Sequence, residues 1–316
     1  MMKHIEYLLR TILVLCLCSC KSGNASVPAD NTQQDTITTF TLPTIPVMLT
    51  TPEQRADFIV KHYWDNTNFA DTNYIHHPEI IEQAWADYCD LLNHVTLTTA
   101  QEAIKAAINK AGAERKVFNY MTDLADNYLY DPNSPMRNEE YYIPVLEAMI
   151  TSPILNETEK IRPKARLELA QKNRVGTKAL DFTYTVASGR QSTLYQIKSD
   201  YTLLFINNPG CHACTETINA IKNIPMIEEL IKKKRMIILS LYPDEEVDDW
   251  RKHRSEFPSE WITAYDKSLT LKTENLYDLK AIPTLYLLDS DKTVILKDAS
   301  AQAIEEWLIN NISLIP

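Results

Sequence analysis

Glycine is almost missing from this chain, with five in 316 residues. Glycine-repeat fibres are therefore excluded, and few positions favour a left-handed backbone. One of the five, Gly210, directly precedes a cysteine. Basic residues are outnumbered: 32 Lys and Arg face 42 Asp and Glu, for a formal net charge of -10. No stretch offers a phosphate footprint, so no nucleic-acid partner is expected. No apolar run approaches the ~20 residues of a membrane-spanning helix. A second C-x-x-C is absent, so the one at Cys211 to Cys214 is not half of a four-cysteine zinc site. What remains is 45% hydrophobic and 23% charged, an ordinary globular composition with length for two domains.

Residues 1–19 stand apart. Lys3 and Arg10 give a positive start, Thr11 to Leu17 an apolar run, and Ser19 precedes Cys20. That order resembles a lipoprotein signal, in which Cys20 becomes the acylated first residue; an ordinary secretory signal cut nearby is the alternative. Acyl chains would then hold the protein to a membrane. No acidic cluster follows Cys20, which favours a cell-envelope, periplasm-facing anchor. Residues 20–50 are rich in Thr, Ser, Asn and Pro and read as a tether with a reach of about 100 Å. Removing the signal and acylating Cys20 leave three thiols: Cys89, Cys211 and Cys214. Three cysteines make no structural disulfide framework.

Residues 51–175 read as all-helical. Thr51-Pro52-Glu53-Gln54 is a helix start, and Pro78 opens a second helix with Ile81, Trp85, Tyr88 and Leu92 on one face. Thr99 caps a third, and Val117, Met121, Leu124 and Tyr128 mark a fourth. Asp131 to Pro135 is a turn, and helices near 138–151 and 157–172 follow. Residues 176–316 change character. Strands are expected at 181–185, 193–197, 201–206, 236–241, 283–288 and 293–296. Helices are expected from Cys211 with a break at Pro225, at 245–254, at 271–279 and at 301–310. This is an α/β order.

Chemistry concentrates in Cys211-His212-Ala213-Cys214. Two cysteines at this spacing can close a disulfide across a helix's first turn. The first sits at the helix N-terminus, where free N–H groups and the dipole favour a thiolate. The thiolate is the attacking species, and the second cysteine resolves the mixed disulfide. The motif follows a buried strand and opens a helix, with Asn208-Pro209-Gly210 making the turn, and His212 lies inside the pair rather than at metal-ligand spacing. Protonated, His212 would stabilise the neighbouring thiolate; the bland alternative is an exposed histidine without influence.

Residues 178–312 resemble the thioredoxin superfamily, especially the exported, membrane-tethered thiol–disulfide interchange proteins. The resemblance rests on Asp181-Phe182-Thr183, Ser188-Gly189, Leu203 to Cys214, Asp244-Glu245-Glu246 and Ile282-Pro283-Thr284. It implies an α/β thioredoxin-like C-terminal domain preceded by an all-α N-terminal domain. It implies a cis peptide at Pro283 beside the redox pair, with the Ile282 backbone free to pair with an extended substrate. The N-terminal part resembles an uncharacterised helical domain, of the DUF5106 type, found ahead of such modules in Bacteroides lipoproteins. Three features depart from the family. Leu203 to Ile206 contain no acid, where thioredoxins bury one. Thr217 stands where exported reductases often carry Glu, with Glu216 beside it. Gly210 replaces the usual Trp.

The expected activity is thiol–disulfide oxidoreduction through a Cys211–Cys214 disulfide, of reductase or isomerase type. The expected partners are exported protein thiols and disulfides and a membrane or envelope electron donor. No metal or organic cofactor is needed. The rivals are an envelope binding or assembly lipoprotein that uses the fold as a scaffold, and a metal-handling thiol pair. His76-His77 lacks a third ligand and reads as a helix-start loop. Cys89 reads as a buried structural thiol.

Overall fold

The structure, a computed structural model, describes residues 39–312. The helical part comprises α1 (Pro52–His62), α2 (Pro78–Leu91), α3 (Leu97–Ala111), α4 (Arg115–Ala125), α5 (Glu139–Thr151) and α6 (Ile161–Ala170). The Thr51 hydroxyl accepts from the Gln54 N–H at 3.2 Å and the Gln54 side chain answers the Thr51 N–H, a reciprocal cap. Ile81, Trp85 and Tyr88 of α2 are buried against Trp64, Ile104 and Phe118, as their helical spacing demands. Pro144 lies inside α5, where its ring removes the N–H that would serve the Glu140 carbonyl. Gln101 Nε2 donates to that carbonyl instead, at 2.9 Å. Upstream of α1, Phe40 stacks on Tyr63 with centroids 5.0 Å apart, so the last residues of the expected tether pack on this core.

The second part follows as β1 (Thr183–Val186), β2 (Gln191–Thr193), β3 (Tyr201–Ile206), α7 (His212–Lys222), α8 (Pro225–Lys232), β4 (Met236–Tyr242), α9 (Val247–His253), β5 (Ile262–Tyr265), α10 (Thr270–Thr273), β6 (Thr284–Leu288), β7 (Val294–Leu296) and α11 (Ala301–Asn311). The strands form one sheet in the order β2-β1-β5-β4-β3-β6-β7. β3, β4 and β5 run parallel, while β6 pairs antiparallel with β3. The apolar run of β3 is explained by cover on both faces. Leu203 and Phe205 join the core under α7, α8 and α11, and Leu204 and Ile206 join the core on the opposite face.

Four sequence expectations need correction. The third helix is capped by Thr96, whose hydroxyl accepts from Thr99 N–H at 3.2 Å, so Thr99 lies inside it. The second strand lies at 191–193 rather than 193–197. The tight Ser188-Gly189 hairpin pairs Thr185 with Gln191 and Thr183 with Thr193, and Leu194–Gln196 then turn as a 3-10 helix. The helix expected at 271–279 stops at Thr273, because Asn275 takes a left-handed φ of 48° and residues 274–283 run irregularly. β5 was not expected. It is short and half polar, and it is a strand because β4 and β1 both hydrogen-bond to it.

The join between the two parts is built in, not loose. Asn173 is 3% exposed with φ 52°. Its amide donates to the Leu276 carbonyl at 2.8 Å and its oxygen accepts from Leu180 N–H at 2.7 Å. Gly176 N–H donates to the Val294 carbonyl, and Val294 N–H to the Thr177 carbonyl, each at 2.8 Å. Asn173→Ala would strand one donor and one acceptor and force alanine into the left-handed region. The expected loss is about 2–4 kcal/mol, read as a lower urea midpoint. Asn173→Gly, which relieves only the backbone, should recover a minor part.

Candidate functional site

The site begins where β3 ends. Asn207 is buried, and its side-chain amide donates to the Phe205 carbonyl at 2.9 Å and to Ser240 Oγ at 2.8 Å. Its backbone N–H continues the ladder to the Leu241 carbonyl at 3.0 Å. The chain then reverses through Pro209 and Gly210, whose φ of 69° suits glycine. Cys211 follows as the N-cap of α7.

Its sulfur replaces the usual capping oxygen. The Cys214 N–H donates to Cys211 Sγ at 3.3 Å, so one orphan donor of the first helical turn points at the sulfur. That contact stabilises negative charge on it. Cys211 is partly exposed, while Cys214, one turn on, is 2% exposed among Leu203, Phe205, Ile218 and Leu285. Burial pushes the Cys214 thiol up to about 12, with the hydrogen bond to Cys211 adding to the rise and the Asn208 N–H opposing it. Both sulfurs are free thiols here, the dithiol form of the pair.

Residues seventy positions away complete the site. The antiparallel register pairs Ile206 with Thr284, so the segment before β6 must lie beside the segment after β3. The Ile282–Pro283 peptide is cis, and the Ile282 carbonyl stands 3.9 Å from Cys211 Sγ. Thr284 Oγ1 donates to the Ala281 carbonyl at 2.6 Å, which anchors this segment at its far end. Cys211, Cys214, Ile282 and Pro283 are thus brought together.

His212 and Glu216 are not part of that inner set. His212 is 88% exposed at its side chain and faces Glu216 Oε2 at 3.6 Å on the outer face of α7. Glu216 is therefore turned away from Cys214. Thr217 spends its hydroxyl on the Ala213 carbonyl at 2.8 Å. Cys214 lies among apolar side chains.

Cys20 lies outside the described residues. His76 ends a short 3-10 turn, and His77 pairs with Glu79 at 3.2 Å. Among the described residues no three His, Cys, Asp or Glu side chains gather as metal ligands. Cys89 is buried in the helical core, where burial pushes its thiol up to about 12. The loop after β4 brings Asp244, Glu245 and Glu246 to the same end of the sheet as Cys211, because β4 runs parallel to β3. Sequence reading missed Asn207 and Ser240 as parts of the site's frame. No spacing signal marks them, since each acts through a tertiary contact.

The two thiols should separate cleanly in alkylation. Burial raises the Cys214 thiol to about 12, so it is held as the thiol at pH 8. Iodoacetamide on the folded, reduced protein at pH 8 should label Cys211 and spare Cys214 and Cys89, as read by peptide mass spectrometry. Labelling of Cys214 at a comparable rate would contradict the burial described here.

Comparison with known proteins adds to this geometry. None of the curated proteins matches the chain. Residues 18–173 match a domain of unknown function, DUF5106. The crystal structure of a thioredoxin-like protein from Bacteroides caccae is 70% identical, covering 88% of this chain and all of that one, with a TM-score of 0.85. The C-terminal domain of an uncharacterized protein from Bacteroides fragilis is 59% identical over 43% of this chain and 98% of that one, with a TM-score of 0.43. The thioredoxin domain of a thiol-disulfide oxidoreductase from Bacteroides vulgatus is 19% identical over 44% of this chain and 99% of that one, with a TM-score of 0.39. An all-α DUF5106 part, a thioredoxin-like sheet and a near full-length relative agree, and the chain belongs to the thioredoxin-like proteins that carry a DUF5106 domain at the N-terminal side.

Proposed function

We propose that this protein is a thiol–disulfide oxidoreductase of the cell envelope that exchanges disulfides with exported proteins through Cys211 and Cys214. One observation carries the reading. A partly exposed sulfur caps a helix, accepts the Cys214 N–H at 3.3 Å, and sits 3.9 Å from the backbone of a cis-proline segment, with a second thiol buried behind it.

The steps follow from that arrangement. The Cys211 thiolate attacks one sulfur of a substrate disulfide, forming a mixed disulfide and expelling a substrate thiolate. Cys214 then gives its proton to that departing thiolate and attacks Cys211 Sγ. The Cys211–Cys214 disulfide forms, the second substrate thiolate leaves, and two electrons have passed to the substrate. An envelope thiol donor of the same chemistry returns the pair to the dithiol, and the sequence runs equally in reverse. The Ile282 backbone would pair with an extended substrate strand while the sulfurs exchange.

The envelope setting and the lipid anchor at Cys20 belong to the same proposal. They rest on the charge, apolar run and cysteine of residues 1–20. No helix among the described residues is long and apolar enough to cross a membrane. Radiolabelled palmitate should enter the wild-type protein in cells, and Cys20→Ala should lose that label.

Insulin reduction tests the activity. Cys211→Ser should lose it entirely. Cys214→Ala should be inactive in turnover yet accumulate covalent partners that dithiothreitol releases. A wild-type protein that neither reduces insulin under several donors nor traps partners would favour the scaffold reading instead.

A further inference from the structure

The segment that presents the Ile282 carbonyl to Cys211 begins at a lysine with little freedom. Lys280 Nζ pairs with Asp278, lies 3.8 Å from Asp298 Oδ2 and 3.9 Å from Glu139 Oε1, and stands 4.6 Å above the Tyr130 ring. Asp278 and Asp298 belong to the thioredoxin-like part. Glu139, the first residue of α5, and Tyr130, the last of the π-helical turn after α4, belong to the helical part. The Lys280 and Glu139 side chains are each 15% exposed, so this is not a solvated surface pair.

The partners are themselves held. Glu139 also pairs with Lys297, whose Nζ donates to the Ala170 carbonyl at 3.2 Å and the Lys172 carbonyl at 2.7 Å. Arg137 donates to the Asp298 backbone carbonyl at 2.8 Å. Three cations and three carboxylates thus interleave across the junction. Apolar packing of equal area would join two domains as firmly, because burying charges is costly. What an ionic network adds is a fixed geometry, and here it ends two residues from the carbonyl that faces the sulfur.

We propose that Lys280 is a positioning residue for exchange at Cys211, through which Glu139 and Tyr130 of the helical domain hold Ala281-Ile282-Pro283 in register with the sulfur. This rests on the oxidoreductase reading above, and it gives the helical domain a task in recognising extended substrates. A protein disulfide lays its backbone along Ile282 and depends on that segment. A small aromatic disulfide such as 5,5′-dithiobis(2-nitrobenzoate) needs only the Cys211 sulfur and serves as the internal reference.

The test uses the full chain and measures kcat and KM for a disulfide-bearing peptide beside the rate with the small disulfide. Lys280→Met should raise the peptide KM about 10-fold relative to the small-disulfide rate, in keeping with the cost of misplacing a bound substrate. Lys280→Arg, which keeps the charge and the ring contact, should restore most of it. Glu139→Gln should shift KM in the same direction by less, and it guards against a Lys280→Met protein that fails to fold. Burial lifts the Glu139 carboxyl above its usual range against the pull of Lys297 and Lys280, and the amide of Gln avoids that desolvation cost at the same size. Lys297 keeps its two carbonyls in that variant. Wild-type KM in both variants, or an equal loss with both substrates, overturns the proposal and leaves the oxidoreductase reading intact. Reaction of Cys211→Ser with the small disulfide at the wild-type rate sinks both.

Discussion

The pairing of β3 with β6 is the constraint on which the site depends. Five residue pairs, from Thr202 with Leu288 to Ile206 with Thr284, fix the two strands against each other. Both strands are buried on both faces, so a one-residue slip would move Leu203 and Phe205 into the wrong core. With that register fixed, the residues after β3 and those before β6 have to meet. Cys211 and Ile282 are neighbours because that register brings the end of β3 beside the start of β6. Asn207 finishes the job by tying the end of β3 to Ser240 of β4, so the turn that carries Cys211 starts from a rigid edge.

Division of labour between the two sulfurs follows from burial. Cys211 is a cap and faces outward; Cys214 is one turn further on and is enclosed by side chains from β3, β6 and α7. Its thiol is pushed up to about 12 for that reason. Leu203 to Ile206 of β3 place no acid beside it. The exposed His212–Glu216 pair sits on the far face of the same turn and contributes little to stability, as solvated pairs do.

The helical part is bound to this site by charge and by backbone. Asn173 fastens the linker to the loop after α10, and Gly176 and Thr177 exchange hydrogen bonds with Val294. The Glu139, Lys280, Lys297 and Asp298 network lies beside them with little exposure. These contacts hold the two parts against each other at the junction. The segment that carries Ile282 thus starts at that junction.

Residue pattern was enough for much of this. The capping box at Thr51, the face of α2, the doubly buried β3 and β4, and Cys211 at the start of a helix are local properties, set by spacing of a few residues. Local signals failed where neighbours decide. β5 is too short and too polar to announce itself and is a strand only because β4 and β1 flank it. Residues 274–279 carry helical composition, yet Asn275 ends the helix and Tyr277 is drawn to the Leu180 carbonyl at 2.7 Å. Lys280 looked like any surface lysine, and Asn207 like any loop asparagine. The chain alone determined that a thiol pair opens a helix after a buried strand, because that information lies within a dozen residues. Only the tertiary structure decided what stands opposite the sulfur, because the Ile282 carbonyl comes from 71 positions along the chain from Cys211.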